Sequence, residues 1–481
     1  MKLQEVKSDT DLAKLLDINK GQFFYLLYRK STASNYNEFR IPKKSGGFRV
    51  ISSPKNGIEI LQRKLLPHLE EVFFARKSTT AFYKGASIKK NAEFHKGKKG
   101  IFNLDLENFF GAITTHRVAG LFQSPPFKLN KRVSYHLAYL VTYNGCLPQG
   151  ASTSPILSNM ICFQLDRELM RLAKKFNLIV TRYADDITFS GVKGIPNSFA
   201  NETAHGVEVN DDLQKVITKC GFKINESKSR IQRQGQRQEV TGLIVNKKVN
   251  VRRSFIKKTK SMLHSWRVDS NNAQRRLLLE QGVPDIESLV TKDGSYFWSV
   301  VYGRLNFIKQ IRGSDFPPYV RLCRFALSCD SAPPKFIEKF KKEIAMYDVF
   351  ICHASEDKLH VARPLYEALS ERDIYTFIDE KEISWGDSIF DKINSALANA
   401  KFVIAIISSK SAEKEWPKKE LGAVLSREIS QQETRLLPLI VGDESELMKK
   451  LPLLEDKLYK VWEEGKSDVI ADEIVSLVRK R

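Results

Sequence analysis

The sequence predicts two folded modules in one chain: an α+β module over residues 1–330 and a smaller α/β module with a parallel sheet over residues 346–481. Two observations carry this. Residues 1–340 hold 56 Lys and Arg against 29 Asp and Glu, a net +27, whereas residues 341–481 hold 22 against 27, a net −5. Only downstream of that change do apolar runs alternate regularly with helical periods: YDVFICHAS, VARPLYEALSERD, IYTFID, SIFDKINSALANA, KFVIAIISS, KKELGAVLSRE and RLLPLIV. Strands buried on both faces read as continuous apolar runs, so the alternation predicts a parallel sheet flanked by helices. The upstream part mixes hairpin signals with long helices and has neither repeats nor low-complexity tracts. Pro333 and Pro334 break the apolar pattern where the charge changes sign, and residues 331–345 are expected to be a linker.

With 481 residues, 42% of them hydrophobic, the chain can bury large cores and exceeds one ordinary domain. No apolar run approaches the length of about 18 residues that a membrane span needs, and the N-terminus lacks the features of a signal peptide, so a cytoplasmic protein away from the membrane is expected. Cys146, Cys162, Cys220, Cys323, Cys329 and Cys352 are scattered without C-x-x-C or Cys/His ligand spacing. Reduced, packed thiols are expected rather than disulfides or zinc. The net +27 of the first module is suited to a polyanion, and counterion release would make such binding salt-dependent.

Within that module, TRYADDITFS (181–190) places Asp185 and Asp186 between two β-prone runs, on a tight hairpin that presents carboxylates at its tip. Adjacent unpaired carboxylates repel, and a divalent cation removes that cost. GIFNLDLENFF puts Asp105 at the end of another apolar strand, where it would complete the cage. Two magnesium ions so held would activate a primer hydroxyl and stabilise departing pyrophosphate. LPQGASTSPILSN (147–159) reads as a glycine turn followed by a helix with Ser154 as N-cap and Pro155 at N1, its apolar face continuing through Leu157, Ile161 and Leu165. Gln149 stands at the start of that helix. IPKKSGGFRVISSP gathers Lys43, Lys44 and Arg49 around a Gly-Gly hairpin turn, cations suited to triphosphate oxygens.

In order along the chain, these elements and GFKINESKSR (221–230) resemble the reverse transcriptases. The resemblance implies that Asp105, Asp185 and Asp186 are the catalytic, metal-binding acids and that Phe110 is a steric gate against a ribose 2′-hydroxyl. It places Arg49, Gln149 and Ala184 at the deoxynucleoside triphosphate, where the hairpin cation Lys43 is also expected, and Lys228 beside the departing pyrophosphate. GASIKKNAEFH (85–95) and VTGLIVN (240–246) are similar to elements of retron enzymes, which makes Asn91 and His95 candidate RNA contacts; for His95, a hydrogen-bonded structural role stays open. KKVNVRRSFIKKTKSMLHSW (247–266) interleaves Arg252, Arg253, Lys257, Lys258 and Lys260 with apolar residues, as a helix tracking a nucleic-acid backbone requires. The implied fold is a right-hand polymerase, with fingers and palm over 1–245 and an RNA-binding helical thumb over 246–330.

YDVFICHASEDK, IDEKEISWGDSIFDKI and SAEKEWPKKELGAVL, in that order, resemble the TIR domain over 345–481. The resemblance implies a flavodoxin-like sheet and makes Glu420 the acid that stabilises an oxocarbenium-like ribose as nicotinamide leaves NAD+. His353, Ser355, Trp385 and Trp416 are the accompanying candidate NAD contacts, and Glu382–Ser388 resembles the segment of TIR domains that mediates self-association. No glycine-rich dinucleotide fingerprint is present.

As a whole the resemblance implies a retron enzyme that binds its cognate noncoding RNA, primes from a guanosine 2′-hydroxyl and makes multicopy single-stranded DNA (msDNA). A host RNase H would remove the template, and the TIR half would hydrolyse NAD+ in antiphage defence. The alternative keeps the polymerase and makes the TIR half a non-enzymatic assembly module. Homo-oligomerisation through either half and an accessory protein stay open.

Overall fold

Gly46 and Gly47, at φ 87° and 75°, turn the chain between β1 (Tyr36–Pro42) and β2 (Phe48–Pro54), which pair antiparallel over their full length. Both positions require the left-handed conformation that glycine adopts without a Cβ penalty. The computed structural model describes residues 1–29, 35–43, 46–204, 206–283, 286–330, 332–334, 336–337, 347–372, 374–378, 400–412, 436–443, 447 and 458–480. Lys44, Trp385, Trp416, Glu420, the loop 382–388 and the expected helices over SIFDKINSALANA and KKELGAVLSRE lie outside the described residues, as does most of the expected linker.

After the hairpin, α1 (Asn56–Val72) buries Ile58, Leu61, Leu65 and Leu69, spaced three or four apart, on one helical face. A short helix, α2 (Ile88–Glu93), is capped by the Ser87 hydroxyl. The core sheet is antiparallel, ordered β4-β5-β3-β8, and built from β3 (Gly100–Asp105), β4 (Ile179–Tyr183), β5 (Asp186–Gly191) and β8 (Arg230–Arg233). Its central strands are covered on both faces, and the polar residues they carry, Thr188 and Ser190, are buried with the apolar ones. A side hairpin, β6 (Ala200–Thr203) with β7 (Gly206–Val209), follows β5. Two helices, α3 (Ser154–Ile161) and α4 (Phe163–Lys175), precede β4. The N-cap of α3 is Thr153, one residue before the expected Ser154, and Ser154 is already helical. Proline fits anywhere in a first turn whose N–H groups have no helical partner, so Pro155 did not fix the boundary. Thr241 and Gly242, both at positive φ, close the hairpin of β9 (Glu239–Val240) with β10 (Leu243–Ile244).

The chain divides into two compact units, residues 1–258 with 307–313 and residues 259–306 with 314–481. Most of α5 (Arg253–Val268) and α7 (Ser295–Arg312), with all of α6 (Ser270–Glu280) and α8 (Pro317–Cys329), group with the C-terminal half. Trp266 stacks on Phe297 at 4.7 Å and meets Trp298 edge-on at 5.0 Å, so aromatic rings make the centre of this bundle. Gly294 sits where a Cβ would collide with the Trp266 ring.

In the same unit, β11 (Tyr347–Cys352), β12 (Thr376–Phe377), β13 (Ala400–Ser408), β14 (Leu436–Val441) and β15 (Lys460–Val461) form an all-parallel sheet ordered β12-β11-β13-β14-β15. This is the expected α/β architecture. Residues of α9 (Arg363–Glu371) and α10 (Ser467–Lys480) pack in one apolar cluster with Val349, Ile351, Ile404 and Ile406 of the sheet. No described helix is long and apolar enough to cross a membrane.

Candidate active site

The ladder register brings three carboxylates together. β3 ends at Asp105, which is 7% exposed and pairs across the sheet with Asp186, the first residue of β5. Tyr183 closes β4 opposite the same Asp186, leaving a two-residue turn of Ala184 and Asp185. Ala184 holds φ 58°, a left-handed conformation that costs a residue with a Cβ and that this turn enforces. The Leu106 N–H donates to the Asp185 carbonyl at 3.1 Å, tying the tip to the end of β3.

Burial and the neighbouring Asp105 charge raise the Asp185 pKa. Crowding by the protein and repulsion from Asp185 and Asp105 push that of Asp186 up to about 6, although its side chain opens toward solvent. Both shifts mark a site short of positive charge. Arg49 and Lys228 lower Asp185, and Lys228 and Arg230 lower Asp186, but repulsion and crowding prevail. Lys228 Nζ donates to Asp105 Oδ1 and Oδ2 at 2.9 and 3.1 Å, and Asn225 Nδ2 donates to Oδ1 at 3.2 Å. Among the described residues no group of three ligands is gathered as a ready-made metal cage. The donor set nevertheless fits a hard divalent cation: carboxylate oxygens alone, two of them under-neutralised, with a mobile ammonium on the third.

Residues that the sequence did not single out hold this hairpin. Arg182, wholly buried, donates to Asp166 through Nε and Nη2 at 2.6 and 2.7 Å and to the Ala184 carbonyl through Nη1 at 3.1 Å. The Thr79 hydroxyl completes the Asp166 shell. Removing either partner would strand a charge in the core, at about 3–5 kcal/mol. A charged residue inside the apolar run LIVTRY was the only sequence signal.

Asn91 and His95 belong to this scaffold: of the two roles open to His95 the structure shows the hydrogen-bonded one, and neither side chain is exposed where RNA would touch it. They are 1% and 0% exposed. Thr181 Oγ1 donates to Asn91 Oδ1 at 2.5 Å, so its contact with His95 Nε2 at 2.7 Å must have the imidazole as donor, and Ser190 Oγ then donates to Nδ1 at 2.7 Å. Burial pushes the His95 pKa down to about 3, with Lys98 adding to the shift. The neutral ring braces β4 against β5 through Thr181 and Ser190.

A cleft of about 340 Å³ lies beside the turn that carries Gln149, walled by Phe110, Pro148, Gly150, Ser154, Ser53 and Arg63. The half-buried Phe110 ring lines it, whereas Phe109 is core, stacked on Phe222 at 5.6 Å. The Ser52 N–H donates to the Gln149 carbonyl at 2.7 Å, docking this turn on β2. Gly150, at φ 125°, permits the close approach: a Cβ there would stand 3.0 Å from Ile51 Cγ2. Arg49 acts electrostatically on Asp185, and Lys43 is exposed near the hairpin turn. Ala184 forms the tip itself, its side chain buried.

On α5 and the residue before it, Arg253, Lys257 and Lys258 are exposed and Lys260 is half-buried. Arg252 is engaged in a two-pronged ion pair with the buried Glu239 carboxylate, so part of its role is structural.

At the carboxyl edge of the parallel sheet, β11 and β13 are neighbours although β12 lies between them in sequence. Ligands of open α/β sheets bind at such a switch point. His353, Ser355 and Ser408 stand there. The His353 Nδ1–H donates to the Ala354 carbonyl at 2.9 Å, Ser355 Oγ donates to Glu356 at 3.0 Å, and Ser408 Oγ donates to the buried Asp357 at 2.7 Å. Asp357 is a further residue that the sequence left unremarked.

Known proteins match both halves. The family model described as reverse transcriptase (RNA-dependent DNA polymerase) matches residues 41–252, and the one described as TIR domain matches residues 349–470. The retron Mx162 reverse transcriptase of Myxococcus xanthus is 34% identical over 265 residues, covering 51% of this chain and 54% of that protein. The retron Ec86 reverse transcriptase of Escherichia coli is 32% identical over 257 residues, 53% of this chain and 76% of that protein. In the C-terminal half, the 2′ cyclic ADP-D-ribose synthase BtTIR of Bacteroides thetaiotaomicron is 38% identical over 124 residues, 25% of this chain and 42% of that protein. The chain spans little more than half the length of the Mx162 enzyme. Sheet, acidic hairpin and parallel α/β unit thus define a reverse-transcriptase domain joined to a TIR domain. The chain belongs to the retron reverse transcriptases.

Proposed function

We propose that this chain is an RNA-directed DNA polymerase that copies a cognate structured noncoding RNA into msDNA, and that its TIR half hydrolyses NAD+ in antiphage defence. The observation that carries the polymerase reading is the convergence of Asp105, Asp185 and Asp186 around one ladder position. The unit that bears them corresponds to fingers (β1–β2) and palm (the β4-β5-β3-β8 sheet), α5–α8 to a thumb, and the parallel sheet to a flavodoxin-like TIR domain. Asp105, Asp185 and Asp186 would hold two magnesium ions, which when bound supply Lewis acidity to the primer hydroxyl and the leaving pyrophosphate. Lys228 moves from Asp105 toward the pyrophosphate, Arg49 and Lys43 take triphosphate oxygens, and the Phe110 ring closes the cleft where a 2′-hydroxyl would stand. Gln149, fixed by the backbone bond to Ser52, orients the incoming deoxynucleotide. Arg253, Lys257, Lys258 and Lys260 follow the RNA backbone, and a host RNase H removes the copied template. Asp185→Ala with Asp186→Ala, assayed by primer extension on an RNA template, is expected to lower DNA synthesis by about a thousandfold or more; undiminished product would overturn the polymerase reading.

For the TIR half, the likeness to a relative named as an NAD(+) hydrolase and the switch-point edge that carries His353 and Ser355 support hydrolysis with Glu420 as the stabilising carboxylate. Glu420→Ala is expected to cut NAD+ consumption by the full-length protein by about a hundredfold or more. Equal consumption by the variant would remove Glu420 from the chemistry.

A further inference from the structure

Asp348 lies at the amino edge of the parallel sheet, on β11, and is 5% exposed. Two cations from different parts of the chain meet its carboxylate. Lys401 of β13 approaches Oδ1 at 3.0 Å from within the sheet, and Arg324 of α8 approaches the same oxygen through Nη1 at 3.1 Å. The Tyr375 N–H donates to Oδ2 at 3.2 Å, and the Arg324 guanidinium stands 5.9 Å over the Tyr375 ring, itself stacked on Tyr347. Arg324 is 7% exposed, so placing it here cost the desolvation of a guanidinium. Neutralising Asp348 did not demand it, because Lys401 and the Tyr375 amide already serve that carboxylate. A buried pair of this kind is not needed for stability, since apolar residues of similar volume often serve as well. What Arg324 adds is a fixed seat for α8 on the first strand of the sheet.

On its other side α8 is tied to the basic helix. Phe325, next to Arg324, meets His264 of α5 edge-on at 4.6 Å. Arg304 of α7 donates to Thr259 of α5 at 2.9 Å, fixing a second side of the same helix. Thus α5, which carries Lys257 and Lys258 in its first turns, is linked through α8 to Asp348, and β11 runs straight from Asp348 to His353 at the opposite, ligand-binding edge. Packed elements of this kind transmit displacement because close-packed interiors deform little.

We propose that the Arg324–Asp348 pair couples the nucleic-acid-binding helices to the TIR sheet, so that nucleic acid held along α5 alters the state of β11 and of the edge it leads to. The proposal rests on the reading of α5 as a nucleic-acid surface. Its test uses the full-length protein with and without an RNA–DNA hybrid of about 20 base pairs, long enough to cover several phosphates of a backbone-tracking surface. Amide hydrogen exchange is measured over Tyr347–Cys352, alongside NAD+ consumption. In the wild type the hybrid is expected to change exchange in β11 severalfold. Arg324→Met is expected to abolish that response, while Lys401→Met, which removes the other cation from the same carboxylate, keeps it. Arg324→Gln, held to the same outcome, replaces Arg324→Met should that variant fail to make DNA. If hybrid that binds leaves β11 unchanged in the wild type, or changes it equally in the Arg324 variant, the coupling is overturned. Hybrid that does not bind at all overturns both the coupling and the nucleic-acid reading of α5. Absence of NAD+ consumption under every condition removes the hydrolase reading alone, because the exchange measurement decides the coupling without it.

Discussion

Asp186 keeps its proton up to about pH 6 because crowding in the cleft and the charges of Asp185 and Asp105 oppose ionisation. An acid whose folded pKa exceeds its unfolded value of about 3.9 binds more protons in the folded state between the two values. Its contribution therefore favours folding at low pH and is lost as pH rises through that window. In chelator, Asp186→Asn is expected to melt above the wild type at neutral pH, with the gap widest above pH 6 and closing as pH falls toward about 4. Melting curves of both proteins from pH 4 to 8 check this, and a gap that does not vary with pH would mean Asp186 is not strained by its neighbours. Magnesium should narrow the gap at neutral pH, since a cation relieves in the wild type what the amide relieves in the variant.

At the scale of elements, legibility followed range. The hairpin carrying Asp185 and Asp186 and four of the five parallel strands were readable because alternation, turn residues and continuous apolar runs are local signals, whereas the short, exposed β15 carries no such run. Arg182 was not readable: its burial depends on Asp166, sixteen positions earlier on another element, and only the fold makes a core arginine affordable. For His95 the sequence left two roles open for the same reason, since a buried imidazole with Ser190 and Thr181 as partners looks, in one dimension, like any polar histidine near lysines. Charge and the prolines at 333–334 mark a change of composition, which says nothing of contacts such as Arg324 with Asp348 that reach across it. In the cleft, Phe110 was nominated by the resemblance, and which of the two adjacent phenylalanines lines the cleft follows from Phe222 stacking on Phe109.

Across the whole molecule, the charge asymmetry, net +27 over residues 1–340 and −5 over 341–481, makes the first part the one suited to a polyanion. Each phosphate neutralised by a lysine or arginine releases counterions, so the logarithm of affinity should fall with the logarithm of salt at about 0.9 per contact on a duplex. Binding of an RNA–DNA hybrid is accordingly expected to weaken by about a thousandfold or more between 50 and 200 mM salt if six or more phosphates are held. Lys257→Ala with Lys258→Ala should flatten that slope by roughly two contacts and weaken binding evenly across sequences, because phosphate contacts position without reading bases. Fluorescence anisotropy titrations at four salt concentrations measure both slopes. A variant slope equal to that of the wild type would place the backbone track on a different face of the basic half.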